Sequence, residues 1–151
     1  MSGRILIEAI KRHIQETMPL IEQLTEVNIM SKPCPECREI GEVVLHMVRS
    51  AEFYMRGITT NEWEPLDYSL EQYDSSEAII DLANKVFNRV KVYADMVSLS
   101  DLGREVKSFN RPATIAEILL EMIEHNVHHR GQLIVYYRIL GISPKEISYI
   151  V

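Results

Sequence analysis

The sequence predicts an all-α protein folded as a four-helix bundle. Four long segments carry apolar residues at intervals of three and four positions, the spacing that places them on one face of a helix. Two of these segments begin with capping-box patterns, which mark the start of a helix. Few segments alternate in the way that strands do, and four long helices of this kind pack as a bundle.

The first predicted helix runs from about Gly3 to Val27. Its apolar stripe consists of Leu6, Ile10, Ile14, Ile21 and Leu24. Pro19 lies within this segment. Because proline lacks the N–H that a helix interior uses, we expect a kink or an interruption there.

The segment SKPCPEC separates the first predicted helix from the second. Cys34 is a candidate N-cap and Pro35 suits the first helical position, so we expect the second helix to run from there to about Gly57. Cys34 and Cys37 form a C-x-x-C motif, which is compatible with redox chemistry, metal binding or a disulfide. We favour a structural or disulfide role, because the βαβ context of thioredoxin-like proteins is absent.

The third and fourth predicted helices begin at the capping-box patterns. DSSE, at 74–77, opens a helix that ends near Ser98, and TIAE, at 114–117, opens one that runs to Leu140. Gly141 and Pro144 then supply a stop signal. We expect the irregular segments 58–73 and 100–113 to shape a pocket, with the loop aromatics Trp63, Tyr68 and Tyr73 either lining it or anchoring the loop.

The length and composition predict a single four-helix-bundle domain over residues 1–151. No run of about 18 apolar residues is present, so we expect no membrane span. Apolar and charged residues alternate from the start, unlike a signal peptide, so we expect a cytoplasmic protein. The net charge of −6 and the scattered basic residues argue against nucleic acid as a partner.

The stretch IEHNVHHRGQL, residues 123–133, holds three of the chain's five histidines. At about 100° per residue, His125 and His129 lie one turn apart on the same apolar stripe, whereas His128 falls among glutamates on the charged face. A single core-facing histidine is more often a hydrogen-bonded structural residue than a ligand. Two imidazoles on one turn can share a metal ion, and this pairing favours a metal site.

Two further histidines have less defined positions. His46 lies at the border between the apolar and charged faces of the second helix, which suits a ligand at the rim of a cleft and equally a half-exposed surface residue. His13 lies at the edge of the first helix's apolar stripe. We interpret His13 as a surface residue beside Lys11 and Arg12.

The fourth-helix stretch HNVHHRGQLIVYYRILG, together with His46 in VVLHMVRSAEFYM, resembles the DinB/YfiT-like superfamily of metal-dependent enzymes. The superfamily signature H-x-x-x-H-R-G-Q, followed by an arginine and a glycine, is matched by His125, His129, Arg130, Gly131, Gln132, Arg138 and Gly141. The resemblance implies a four-helix bundle of the DinB/YfiT-like type. It also implies one divalent ion, Ni²⁺ or Zn²⁺, held by His46, His125 and His129. Members are often homodimers, and those with known activities are transferases and isomerases that use low-molecular-weight thiols.

The resulting hypothesis is a metal-dependent transferase or hydrolase that acts on a small molecule. Three imidazoles leave an ion with open positions, as catalytic sites require, and Gln132 lies within angular reach of a supporting contact. No residue is singled out as the general base. The alternative is a non-catalytic helical protein that binds a metal ion or a ligand, which a fourth protein ligand would favour.

A second apolar stripe on the fourth helix predicts a further contact. It consists of Leu120, Ile123, Val127 and Ile134, which a neighbouring helix or a partner subunit could cover. We favour a homodimer. Gly131 in the helix interior is interpreted as a point where another helix approaches closely.

Overall fold

The computed structural model describes residues 3–107 and 111–148. Within these residues the chain forms four α-helices: α1 (Gly3–Glu22), α2 (Ile40–Thr60), α3 (Ser76–Met96) and α4 (Ile115–Ile139). The predicted all-α, four-helix fold is confirmed. No helix in the described part of the chain is both long enough and apolar enough to cross a bilayer.

The packing places each helix beside two others. Both α1 and α2 pack against α3 and α4, so α1 and α2 occupy opposite corners of the bundle. Apolar side chains from all four helices fill the interior, among them Leu20, Met47, Phe87 and Leu133. The contact between α2 and α4 brings the histidines of the two helices to one place.

The first helix continues through Pro19, so the expected interruption is not observed. It ends at Glu22 and is followed by a short 3₁₀ helix, Gln23–Glu26. Pro19 is exposed, whereas Leu20 and Ile21 behind it are fully buried. Their burial holds the last turn of α1 in place despite the missing N–H of proline.

The second helix begins at Ile40, so the expected start at Cys34 and Pro35 is wrong. Cys34 and Cys37 form a disulfide, in agreement with the role favoured above, and the Cys37 N–H donates to the Cys34 carbonyl at 3.1 Å. The first N–H groups of α2 instead bond to earlier backbone. Ile40 donates to the Ser31 carbonyl at 2.8 Å, and Gly41 donates to the Ile29 carbonyl.

The predicted capping box is present at α4, whereas α3 is capped by Ser75 and not by Asp74, the first residue of the DSSE pattern. The Ser75 side chain accepts the N–H of Ala78 at the start of α3. At α4 the capping box is complete, because Thr114 Oγ1 accepts the Glu117 N–H and a Glu117 carboxylate oxygen accepts the Thr114 N–H. After α4, Gly141 adopts a φ of 84°, which favours glycine.

The crossing between α3 and α4 is more regular than expected. Two short strands, β1 (Glu105–Lys107) and β2 (Pro112–Thr114), pair antiparallel, with Val106 opposite Ala113. Both of these side chains are buried. The sequence did not predict the strands, because three residues are too few to show an alternating pattern.

The loop that follows α2, residues 61–75, is fixed to the helix by several contacts. Arg49 donates to the Tyr68 carbonyl at 2.9 Å, and the Tyr68 hydroxyl donates to the buried carboxylate of Glu52 at 2.6 Å. The Trp63 ring lies directly over Gly57. Trp63 and Tyr68 therefore anchor the loop.

Replacing Gly57 with alanine should destabilise the protein. A Cβ at this position would lie 2.3 Å from the Trp63 ring, so the ring and its loop must shift. We expect the free energy of unfolding to fall by about 1–3 kcal/mol, measured by chemical denaturation.

Gly131→Ala is the matched control for this prediction. Both glycines are helical, but nothing lies within 4 Å of a Cβ at Gly131, so this variant should gain up to about 1 kcal/mol. Equal effects of the two substitutions would contradict the role assigned to Gly57.

Candidate metal centre

Three imidazole rings from two helices converge. His46 lies on α2, and His125 and His129 lie one turn apart on α4. The Nε2 atoms of His46 and His125 are 3.0 Å apart, and the His129 ring centroid lies 4.6 Å and 4.5 Å from the His46 and His125 centroids. One ligand atom from each residue lies within 4.8 Å of the others.

The helical period and the packing of α2 on α4 explain this convergence. His125 and His129 share a face of α4 because they are four residues apart, as the sequence predicts. His46 occupies the border of its helix face, and the α2–α4 contact turns that border toward α4. His128 is exposed and lies outside the cluster, as expected.

The donor set fits a divalent ion such as Ni²⁺ or Zn²⁺. Imidazole nitrogens bind Zn²⁺ at about 2.0–2.1 Å, so two nitrogens 3.0 Å apart can reach one ion. His129 Nδ1 lies 2.7 Å from the Gln132 side-chain oxygen, which can only accept. The proton of His129 therefore lies on Nδ1, and its Nε2 lone pair is available to an ion. The expected supporting contact of Gln132 is confirmed.

The hydrogen bonding of His125 also differs from that of a structural histidine. His125 Nδ1 is buried and has no hydrogen-bond partner in residues 3–107 and 111–148. His46 Nδ1 faces Arg49 Nη2 at a long 3.4 Å, and Arg49 itself pairs with Glu42 at 2.5 Å. A buried histidine with a purely structural role would have its buried ring nitrogens paired, and His125 Nδ1 departs from this expectation.

The three imidazoles are neutral at neutral pH. Burial, with repulsion from the neighbouring rings and the charge of Arg38, lowers the pKa of His46 to about 3 and the pKa of His125 to about 4. Burial also lowers the pKa of His129, opposed by the Gln132 contact. Neutral imidazoles offer lone pairs to a metal ion without first losing a proton.

A cavity of about 360 Å³ opens beside His46 and His125. Its other lining residues are Arg49, Ser50, Phe53, Tyr54, Pro65 and Leu66. The wall opposite α2 comes from the loop after that helix, so the expectation that 58–73 shapes a pocket is confirmed. The described residues of 100–113 contribute no side chain to this cavity.

A second polar cluster ties α1 to α4 and corrects the interpretation of His13. His13 is only 6% exposed, and its Nδ1 accepts from Arg130 Nη1 at 3.1 Å. Arg130 also pairs with Glu16 at 3.0 Å, and His13 Nε2 contacts the Thr17 hydroxyl at 3.3 Å. His13 is buried because the edge of its helix stripe faces α4. The sequence contained a sign of this burial. His13 lies three residues after Ile10 and four residues before Thr17, and these spacings place the three side chains on one face of α1.

Gly131 does not mark a close helix contact within the chain. It is exposed, and nothing lies within 4 Å of a Cβ built on it. The expectation of a neighbouring helix at this point is therefore wrong for the single chain.

The sequence matches the DinB family over residues 1–151. It is 24% identical over 132 residues to the uncharacterised protein YjoA of Bacillus subtilis strain 168, a region that spans 85% of this chain and 84% of YjoA. The crystal structure of that DinB-like protein is similar at a TM-score of 0.77 and 22% identity, covering 95% of both chains. A DinB-like protein from Bacillus cereus ATCC 10987 is similar at a TM-score of 0.78 and 23% identity, covering 98% of this chain and all of that chain. These two structures share the fold of this chain.

The buried His13 should make stability depend on pH. Burial, together with the charge of Arg130, lowers its pKa in the folded chain to about 3, below the usual 6.5. The unfolded chain therefore binds one more proton between these pH values, and stability that is complete above pH 6.5 is lost as the pH falls. His13→Gln should flatten the slope of the unfolding free energy by about 1 kcal/mol per pH unit between pH 6 and 4.

Chemical denaturation at a series of pH values measures this slope. His128→Gln is the control, because it removes an exposed histidine outside the His13 cluster and should flatten the slope less than His13→Gln does. A slope that is identical in the wild type and in His13→Gln would show that His13 is not buried in neutral form.

Proposed function

Since this chain belongs to the DinB family, we propose that it is a metal-dependent enzyme whose divalent ion is held by His46, His125 and His129. The observation that carries the proposal is the convergence of three neutral imidazoles beside a largely apolar cavity. Imidazole donors suit Ni²⁺ and Zn²⁺. An ion in this site supplies a Lewis acid that lowers the pKa of a water or thiol ligand.

The chain's own residues prepare this site in three ways. Gln132 holds the His129 ring in the tautomer that presents Nε2. Arg49 lies beside His46 and donates to the Tyr68 carbonyl of the loop, so one side chain neighbours both the ligand and the cavity wall. Phe53 and Leu66 give the cavity beside the cluster apolar walls.

The proposed reaction is the transfer of a group between a small-molecule substrate and the sulfur of a low-molecular-weight thiol. A thiol-dependent isomerisation of a small molecule uses the same site. No carboxylate or cysteine in the described residues joins the three histidines as a further ligand, which leaves positions for a thiol and a substrate. The alternative function, non-catalytic binding of a metal ion or ligand, uses the same donor set without turnover.

Stoichiometric metal content is the first expectation. Protein purified without chelator should contain about one divalent ion per chain by elemental analysis, and His129→Ala should lose it because two imidazoles hold an ion much less firmly. Gln132→Ala should weaken metal affinity about 10–100-fold, because it releases the His129 ring.

His128→Ala is the matched control for metal binding. It removes an adjacent imidazole that lies outside the cluster, so metal content should be unchanged. Full metal retention by His129→Ala would refute the proposed ligand set.

Turnover distinguishes the enzyme from the non-catalytic alternative. We expect the metal-loaded protein to catalyse thioether formation between a thiol, tested as cysteine and glutathione, and 1-chloro-2,4-dinitrobenzene, with release of chloride and a proton. The catalysed rate is the absorbance change above that of the same mixture without protein. It should vanish on chelation and return with Ni²⁺ or Zn²⁺. A protein that binds one ion but gives no metal-dependent rate with either thiol would favour the alternative.

We also propose that the chain forms a homodimer through the outer face of α4, defined by Leu120, Ile123, Val127 and Ile134. Leu120 and Val127 are 45% and 44% exposed, although their helix is buried on its opposite side. Covering such a face removes apolar surface from water.

Light scattering tests the dimer. The wild type should have twice the mass of one chain, and Val127→Glu should convert it to a monomer by placing a charge in the interface. Val92→Glu is the control, because Val92 is 60% exposed on α3, away from this face. A monomeric wild type would exclude the dimer.

A further inference from the structure

The charge of the candidate metal site restricts what it can bind. The three ligands are imidazoles, which bind a metal ion in their neutral form, and no carboxylate or thiol joins them in residues 3–107 and 111–148. If the proposed function holds, the bound dication therefore keeps its full positive charge. A dication without a charged protein ligand favours an anionic ligand at its open positions.

The charged side chains around the cluster add to this preference. Arg49 lines the same cavity as His46, and its Nη2 lies 3.4 Å from His46 Nδ1. Glu42, the acidic side chain next to this group, is already paired with Arg49 at 2.5 Å.

The cavity beside the cluster has the opposite character. Phe53 and Tyr54 of α2 form one side, and Pro65 and Leu66 of the loop form the other. Its volume of about 360 Å³ lies within the range of small-molecule sites. Because His46 and His125 line the same cavity, a group bound to the ion leaves the rest of its molecule against these apolar walls.

We propose that the site selects small monocarboxylates with an apolar aryl or alkyl body, whose carboxylate would bind at the ion held by the three histidines and whose body fills the cavity between Phe53 and Leu66. Leu66 then contributes to specificity for the apolar end of the ligand. This inference rests on the proposed metal site and adds the class of molecule that the site accepts.

Three probes separate the two ends of the ligand. Phenylacetate carries both features, phenylacetamide lacks the charge, and acetate lacks the apolar body. Trp63, the one tryptophan of the chain, reports binding by fluorescence, because its ring centroid lies 5.5 Å from that of Phe53. Calorimetry gives an independent affinity, and neither readout requires turnover.

Metal-loaded wild type should bind phenylacetate at least ten-fold more tightly than phenylacetamide or acetate. Leu66→Ser should weaken phenylacetate about three- to ten-fold and leave acetate unchanged. Val92→Ser, which changes an exposed apolar side chain of α3, is the matched control and should change no affinity.

Elemental analysis of the same samples separates the two proposals. A protein that holds one ion per chain but binds the acid and the amide equally would overturn this inference and leave the proposed metal site intact. Equal phenylacetate affinity with and without the ion would also overturn it. A protein that takes up no ion would overturn both proposals.

Discussion

The packing of α2 against α4 is the contact on which the rest of the site depends. The two helices come from distant parts of the chain, and their register places His46 opposite the turn that carries His125 and His129. A shift of α2 by one residue would rotate His46 by about 100°, away from the other two rings. The buried apolar side chains of both helices oppose such a shift, so the core that stabilises the fold also determines the site's geometry.

The orientation of α4 is fixed from two directions at once. Arg130 is buried on the α1 side, where it pairs with Glu16 and contacts His13, and the next residue back, His129, faces α2. Successive helical residues point about 100° apart, so a contact that holds Arg130 on α1 also aims His129 at the cluster. Breaking the pairing of the buried Arg130 would leave its charge without compensation in the protein interior. Because an unpaired buried charge costs much free energy, this orientation of α4 is strongly favoured.

The loop after α2 shapes the cavity without contributing a metal ligand. Its backbone is held by Arg49, its Tyr68 hydroxyl by Glu52, and Glu52 in turn by Arg89 from α3. Because Arg49 also lies beside His46, one side chain neighbours both the wall of the cavity and the cluster. The arrangement separates two roles, since imidazoles from rigid helices form the cluster while an anchored loop shapes the space beside it.

The helical period was sufficient to predict four helices and the shared face of His125 and His129, with His128 outside, and the capping-box pattern was sufficient to predict the cap at Thr114. These features are local, because a helix relates residues three and four apart regardless of what surrounds it. Three features could not be predicted from the helical period and needed the tertiary structure. They are the position of His46 facing α4, the burial of His13 and the start of α2 at Ile40. Each lies at the edge of a helix face or of a helix, where periodicity is ambiguous and the neighbouring element decides. Contacts between distant segments resolve such positions, and no pattern within one helix encodes which neighbour it will meet.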